Sequence, residues 1–327
     1  MSNQLRSERE AATSEVRARD RQAPDRMSEL TTPSRMHVLR GTMREFGHDH
    51  LTDLAAALTY YGVLAIFPMI IVIVSVLGLV GPSAIHPIID NLSKVAPGPA
   101  RSIITSAVRN VGSGRGTAGI LFVAGLAGAL WSASGYIAAF MRASNVIWDI
   151  EEGRPFYKTI PIRLGVTLLT VIIITASALA VVLTGALARR VGGLIGLGSS
   201  AVTIFDIVKW PLMLLMVSLV FALLYYAAPN VRHPGFRWIT PGSMVAVIGW
   251  IVVSAAFAFY VANFSSYNKT YGALGGVVAF LVWLWLTNVV ILFGAELNAE
   301  LARARLAQVG HPEEAEPYLP PRDDPDD

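Results

Sequence analysis

The chain has 327 residues, 54% of them hydrophobic, with 26 Lys and Arg against 23 Asp and Glu. Residues 1–53 and 300–327 hold 29 of those 49 charges, which leaves about 8% charged residues between them, where a soluble domain carries about 25%. A water-exposed surface cannot be assembled from that middle section. Composition therefore excludes an ordinary soluble enzyme, a disordered chain and, with no cysteine present, a disulfide scaffold.

Residues 1–35 carry mixed charges and few large apolar side chains, the composition of a disordered, solvated tail. In MHVLRGTMREFGHDH, residues 36–50, the positions Met36, Leu39, Met43 and Phe46 make an apolar stripe at helical spacing. That predicts an amphipathic helix lying in the membrane interface and feeding the first span. Six continuously apolar stretches follow, near 54–80, 119–140, 162–183, 206–226, 244–261 and 274–295. A helix needs about 20 residues to cross the hydrocarbon layer, and a barrel strand would alternate over about ten. The predicted fold is all-α: a polytopic six-span transmembrane helical bundle over 36–305, with short interfacial helices. The first stretch is longer than one perpendicular crossing, an excess that tilt or a bend at Pro68 absorbs.

The loop 81–118 holds two short amphipathic stretches, near 84–95 and 99–111. The loop 184–209 is glycine-rich and lies at, or re-enters, the interface. Residues 306–327, acidic and rich in proline, read as a second disordered tail. Basic residues set the orientation: the side holding both tails has 18 Lys and Arg and the opposite side 8. Both termini are therefore expected in the cytoplasm of a bacterial inner membrane.

Polar groups inside or beside the spans are the candidate site residues. Tyr60 and Tyr61 fall in the first span, where they either pack between helices or line a substrate path. Trp131 heads the small-residue run WSASGYIAAF, with Ser134 and Ala138 near the same face. Asn145 belongs to a boundary cluster with Trp148, Glu151 and Glu152, for which Arg154 or Lys158 are candidate partners. Asp206 and Lys209 stand about one turn apart near the start of the fourth span. Tyr225 lies in YYAAPN, where Pro229 ends that span, and Pro241 and Gly242 fit the entry to the fifth. Tyr271 opens the sixth. Asn288 lies in the hydrocarbon region, and Glu296, two turns on, shares its face. Arg142 or Arg40 are candidate partners for Glu296. Intramembrane polar groups are functional candidates by default, and satisfied packing is the competing reading for each.

Other chemistry finds no support. GSGRGTAG lacks the Lys-Ser/Thr ending of a phosphate loop, and GGLIGLG lacks the strand–helix context of a dinucleotide fingerprint. The six histidines are scattered outside the spans. No metal, cofactor, catalytic set or nucleic-acid partner is expected. Membrane lipids are the expected partners, and the small-residue faces leave self-association open beside internal packing.

Taken in order, AAALTYYGVLAIFPMI, the Trp131–Asn145 stretch with its following acids, YYAAPN, the Pro241–Gly242 pair and YNKTYGALGG…VWLWLTNVVILFGAELNAE resemble the YihY/virulence factor BrkB family of bacterial inner-membrane proteins. The resemblance covers about residues 36–305 and implies six spans with cytoplasmic ends. An older label attached to the family, a tRNA-processing ribonuclease, finds neither a His/Asp metal cluster nor a basic RNA surface here. Some members are linked to serum resistance, and others have been proposed to move lipids or lipid-like envelope precursors. The resemblance thus implies transport or scrambling of an amphiphile, with a structural envelope scaffold as the alternative. It supplies no agreed catalytic residues.

Overall fold

The computed structural model describes residues 32–80, 117–182, 199–233, 239–263, 268–308 and 319–324. Among them are seven helices and no strand: α1 (Thr32–His48), α2 (Leu51–Val80), α3 (Thr117–Ile147), α4 (Phe156–Val182), α5 (Ser199–Ala227), α6 (Pro241–Asn263) and α7 (Asn268–Gln308). Residues 1–31 of the expected 1–35 tail, the stretches 84–95 and 99–111, and most of the 184–209 loop lie outside the described residues, whereas 32–35 of that tail are helical, as the first turn of α1.

Stretches of four helices are long and apolar enough to cross a membrane: Phe156–Ser177, Ile207–Ala227, Pro241–Tyr260 and Gly275–Gln308. The described apolar part of α2 is Leu51–Ile66. Outward rows of aliphatic side chains remain uncovered, such as Leu168 and Ile172 on α4 and Ile248 and Val252 on α6. Spaced by four, each pair lies along one helix face. Buried positions are often small, among them Ala133, Ala143, Ala222, Ala246 and Ala295. Large apolar outside and small inside is the pattern of helices that meet lipid on one face and a close neighbour on the other. Threonine hydroxyls in these helices bond back along the chain, Thr59 to the Ala55 carbonyl at 2.8 Å and Thr175 to that of Val171 at 2.7 Å. These two hydroxyls are thereby satisfied without water.

The described chain divides into two compact units. One gathers residues up to Tyr60 with Ala138–Ile162 and Phe221 onward; the other holds Tyr61–Ile137 and Arg163–Val220. In the first, α6 packs along α7 and α1 lies against α7. With 41 residues, α7 is about 60 Å long at ~1.5 Å per residue. That is twice the ~30 Å hydrocarbon layer, so its charged C-terminal third extends past the apolar part. There Val38 of α1 is buried with Leu297 and Leu301 of α7, and Val245 and Ala304 pack at the edge.

The expected amphipathic helix is present as α1, and Met36, Leu39 and Met43 of its stripe are not covered by the protein, which leaves them to the membrane interface the sequence reading assigned them. The buried side is Val38, Gly41 and Thr42. Spaced one turn apart, these small or β-branched residues admit the close approach of α7, and a Cβ on Gly41 would run into the Glu300 carboxylate.

The C-terminal stretch also differs from expectation. The last turns of α7 reach Gln308, and Leu319–Asp324 is docked, with Leu319 buried. Its anchors are backbone and guanidinium hydrogen bonds, for which an acidic, proline-rich composition is no obstacle.

Candidate functional site

Within the first unit, polar side chains converge at three levels. The first ties α6 to α7. Thr240 and Ser243 cap α6 reciprocally: the Ser243 amide donates to Thr240 Oγ1 (3.1 Å) and the Thr240 amide to Ser243 Oγ (2.8 Å). With Pro241 in the first turn, this is a capping box whose fixed proline φ suits helix entry. Asn298 of α7 joins it, accepting from the Gly242 amide at 2.9 Å and donating to Thr240 Oγ1 at 3.0 Å. Gly242 faces Gly294: a Cβ on Gly294 would stand 2.5 Å from the Gly242 carbonyl oxygen and 2.6 Å from the Tyr225 hydroxyl. Two glycines without side chains let the backbones touch. The Tyr225 hydroxyl donates to the Ile291 carbonyl at 2.7 Å, and its ring stacks between Phe140 and Phe221.

The second level is Asn288, which is 1% exposed and donates through Nδ2 to Thr59 Oγ1 at 3.0 Å. Nearby in the same unit, Trp283 donates to Ser254 (3.2 Å) and Trp285 to the Thr52 carbonyl (3.1 Å).

The third level is the boundary cluster around Asn145. Its Nδ2 donates to Glu152 Oε2 (3.0 Å) and its Oδ1 accepts from the Asn230 amide (2.8 Å). Arg154 is buried and grips Glu152 with Nε and Nη2, at 2.7 and 2.6 Å. Its remaining donors reach the carbonyls of Ala227, Ala228 and Pro229. The Ala227 carbonyl ends α5 and those of Ala228 and Pro229 follow it, without partners in the helix, so a cation there is doubly favourable. Burial pushes the Glu152 carboxyl up, but the Arg154 hydrogen bonds and charge, with Asn145, outweigh it and hold the group below the usual carboxylate range.

The docked C-terminal residues complete this cluster. Val231 and Pro321 form an isolated antiparallel bridge, and the Arg322 amide donates to the Asn230 carbonyl at 2.9 Å. Arg322 donates to the carbonyls of Val231 (2.8 Å) and Tyr226 (2.5 Å) and lies over the Tyr226 ring. Asn230 Nδ2 donates to the carbonyls of Glu151 (3.0 Å) and Asp323 (2.8 Å). Lys158, considered as a partner for the Glu151–Glu152 pair, instead bonds to Asp323. His233 sits edge-on to Trp148 and beside Tyr226. Burial, and then the Arg322 charge, push the His233 imidazole down to about 4.

The structure thus brings Asn145, Tyr225, Asn288 and Glu296 into one unit, each buried. Tyr60 is different: its side chain is 62% exposed. In the second unit a Cβ added at Gly135 would stand 3.7 Å from the Tyr61 ring, and Trp131 is exposed under the Arg163 guanidinium, 4.4 Å from the ring centroid. Ser134 is buried, so it does not share the exposed face of Trp131. The side chains of Tyr271 and Asp206 lie outside the described residues. The charges bearing on Glu296 are Asp49, Glu300 and Glu45, offset by Arg303, where the sequence reading offered Arg142 or Arg40. Asn230, Arg322, Asn298 and Thr240 were not singled out from the sequence. Asn230, last in YYAAPN, and Asn298, within GAELNAE, stood in marked motifs; Thr240 and Arg322 did not.

Over residues 42–318 the chain matches the family described as Virulence factor BrkB. It is 31% identical over 251 residues to a Bacillus subtilis (strain 168) protein named as ribonuclease-like, YfkH, covering 77% of this chain and 90% of that one. It is 28% identical over 274 residues to a UPF0761 membrane protein of Photobacterium profundum, covering 81% of each. A UPF0761 membrane protein of Alteromonas mediterranea is 28% identical over 269 residues, covering 78% of this chain and 84% of its own. No solved structure matches the chain.

Proposed function

Because the chain belongs to the virulence factor BrkB family of membrane proteins, we propose that it crosses the bacterial inner membrane six times, with both termini cytoplasmic, and moves a lipid or other amphiphilic envelope molecule across it. The substrate's problem is its headgroup, which is costly to bring into hydrocarbon without hydrogen-bonding partners. A protein speeds the passage by offering polar side chains along a surface that the acyl chains can follow. Passive scrambling needs no energy source, and this reading assigns the chain no catalysis. Lipids are the proposed partners, with a homo-oligomer as a further possibility through the small-residue faces.

The observation that carries this reading is Tyr60. It stands nine residues into the 30-residue apolar helix α2, and its side chain is uncovered while its neighbours Leu58 and Thr59 are buried. A tyrosine used only for packing would be covered. The exposed aliphatic rows on α4 and α6 suit acyl chains on the same grounds.

A scaffold without transport is the second reading. It is favoured by Asn288, Tyr225 and Asn298, whose polar atoms meet partners within the bundle. The two readings part in vesicles reconstituted with a headgroup-fluorescent phospholipid and an external quencher. Transport predicts quenching beyond the outer leaflet, slowed several-fold by Tyr60→Ala and less by Tyr60→Phe. Quenching equal to that of protein-free vesicles would leave the scaffold.

A further inference from the structure

Acidic side chains crowd the corner between α1 and α2, where it faces the charged end of α7. The corner is tight: the Asp49 amide bonds to the Glu45 carbonyl at 2.8 Å, and His50 turns the chain with a φ of 50°. One ligand atom each from Glu45, His48 and Asp49 lies within 4.8 Å of the others. His48 Nδ1 now stands between the two carboxylates, 3.7 Å from Glu45 Oε2 and 3.4 Å from Asp49 Oδ1. An ion bound to all three would sit between the imidazole nitrogen and the two carboxylates. Ligands at about 2.0–2.4 Å from a metal stand up to roughly 4–5 Å apart, so the spacing suits a shared cation.

Spacing alone describes many surface acidic clusters. The second observation comes from a different helix. Glu296 of α7 is 1% exposed, its Oε2 has no hydrogen-bond partner, and the charge that bears on it most is Asp49, followed by Glu300 and Glu45. The cations of the corner are otherwise engaged. Arg303 is shared by Glu300 (2.7 Å), Asp149 (3.4 Å) and Glu45 (3.8 Å), and Arg44 bonds to Glu45 Oε1 at 2.7 Å. Among the described residues, Arg44, Arg303 and the imidazoles of His37 and His48 are the cationic groups that bear on Glu45, Asp49 and Glu300. Ionising a carboxyl group buried this deeply costs several kcal/mol, on the order of what a bound cation returns. His48 has 80% of its side chain exposed, whereas those of Glu45 and Asp49 are 17% and 11% exposed. The corner is therefore open to solvent at the imidazole and covered at the two carboxylates.

We propose that the α1–α2 corner binds one divalent cation through Glu45, His48 and Asp49, with the Glu296 carboxylate as its buried counter-charge. Hard carboxylate oxygens with one imidazole suit Mn²⁺ or Zn²⁺ better than Ca²⁺. Bound there, the ion ties α1 to the end of α7. The site stands independently of which molecule, if any, the protein moves.

The test uses tag-free, full-length protein in detergent micelles, titrated with Mn²⁺ and read by the loss of the free-ion paramagnetic resonance signal. One saturable Mn²⁺ per chain is expected. His48→Ala and Asp49→Asn should each weaken it at least tenfold, and Glu296→Gln likewise. His48→Ala changes an exposed side chain and spares the fold, so it decides the matter even where Glu296→Gln fails to fold. Absence of saturable binding, or unchanged affinity in His48→Ala, overturns the proposal. Unchanged affinity in a folded Glu296→Gln removes Glu296 from the site.

Discussion

Two glycines of α7 separate contact from helix propensity. At Gly294 an added methyl meets the Gly242 carbonyl and the Tyr225 hydroxyl, whereas at Gly276 it meets nothing within 4 Å. Gly294→Ala should therefore destabilise the protein by about 1–3 kcal/mol. Gly276→Ala should be neutral or stabilising by up to ~1 kcal/mol. Thermal unfolding in micelles checks the pair, and equal effects would contradict the close α6–α7 approach. For Asn288 and Thr59, a double-mutant cycle with Asn288→Leu and Thr59→Val should give a coupling of about 0.6 kcal/mol, the usual worth of such a bond in a membrane. Zero coupling would mean the two do not bond. That Asn288 is buried was legible in the sequence, because an amide in an apolar run has nowhere else to be. Its partner was not: Thr59 lies 229 positions away, and no local pattern pairs them. Tyr60 and Thr59 adjoin in sequence yet differ in exposure, which only the packing of α2 decides.

At the scale of elements, the 228–233 turn and the docked 319–324 segment make a pH-sensitive clasp. His233 faces Trp148, Tyr226 and the Arg322 charge. Its docked value of about 4 lies below the ordinary 6.5, so the opened form takes up a proton first as pH falls. The clasp is at full strength above pH 6.5, weakens between 6.5 and 4, and has then lost roughly 3 kcal/mol. Hydrogen exchange, corrected for its intrinsic pH dependence, should show amides of 228–233 losing protection at pH 4.5 relative to pH 7. His233→Phe should abolish that difference, and equal protection in the native chain at both pH values would count against the clasp. The spans near 162–183, 206–226 and 244–261 were legible because uninterrupted apolar runs leave helix as the way to satisfy the backbone in lipid. The apolar stripe of α1 was legible, but the side that meets α7 was not, because hydrophobicity marks a stripe and says nothing of a contact made by small residues. Val38, Gly41 and Thr42 are the protein side, chosen by size. The docked segment was missed because its affinity resides in carbonyls and Arg322, to which composition is blind.

For the molecule as a whole, the matched family and the four apolar stretches of α4–α7 make it a membrane protein of several spans. The six-span count and the sidedness are the proposals on which transport, the interfacial face of α1 and the position of the cation site relative to the cytoplasm all depend. The chain contains no cysteine, so single cysteines report topology without background. Ser28→Cys, Ser93→Cys, Ser265→Cys and Ala315→Cys can each be probed with a membrane-impermeant maleimide. In intact spheroplasts the account predicts labelling at 93 and 265, and at 28 and 315 only after the membrane is opened. Labelling of 28 or 315 from outside, or of all four alike, would contradict it.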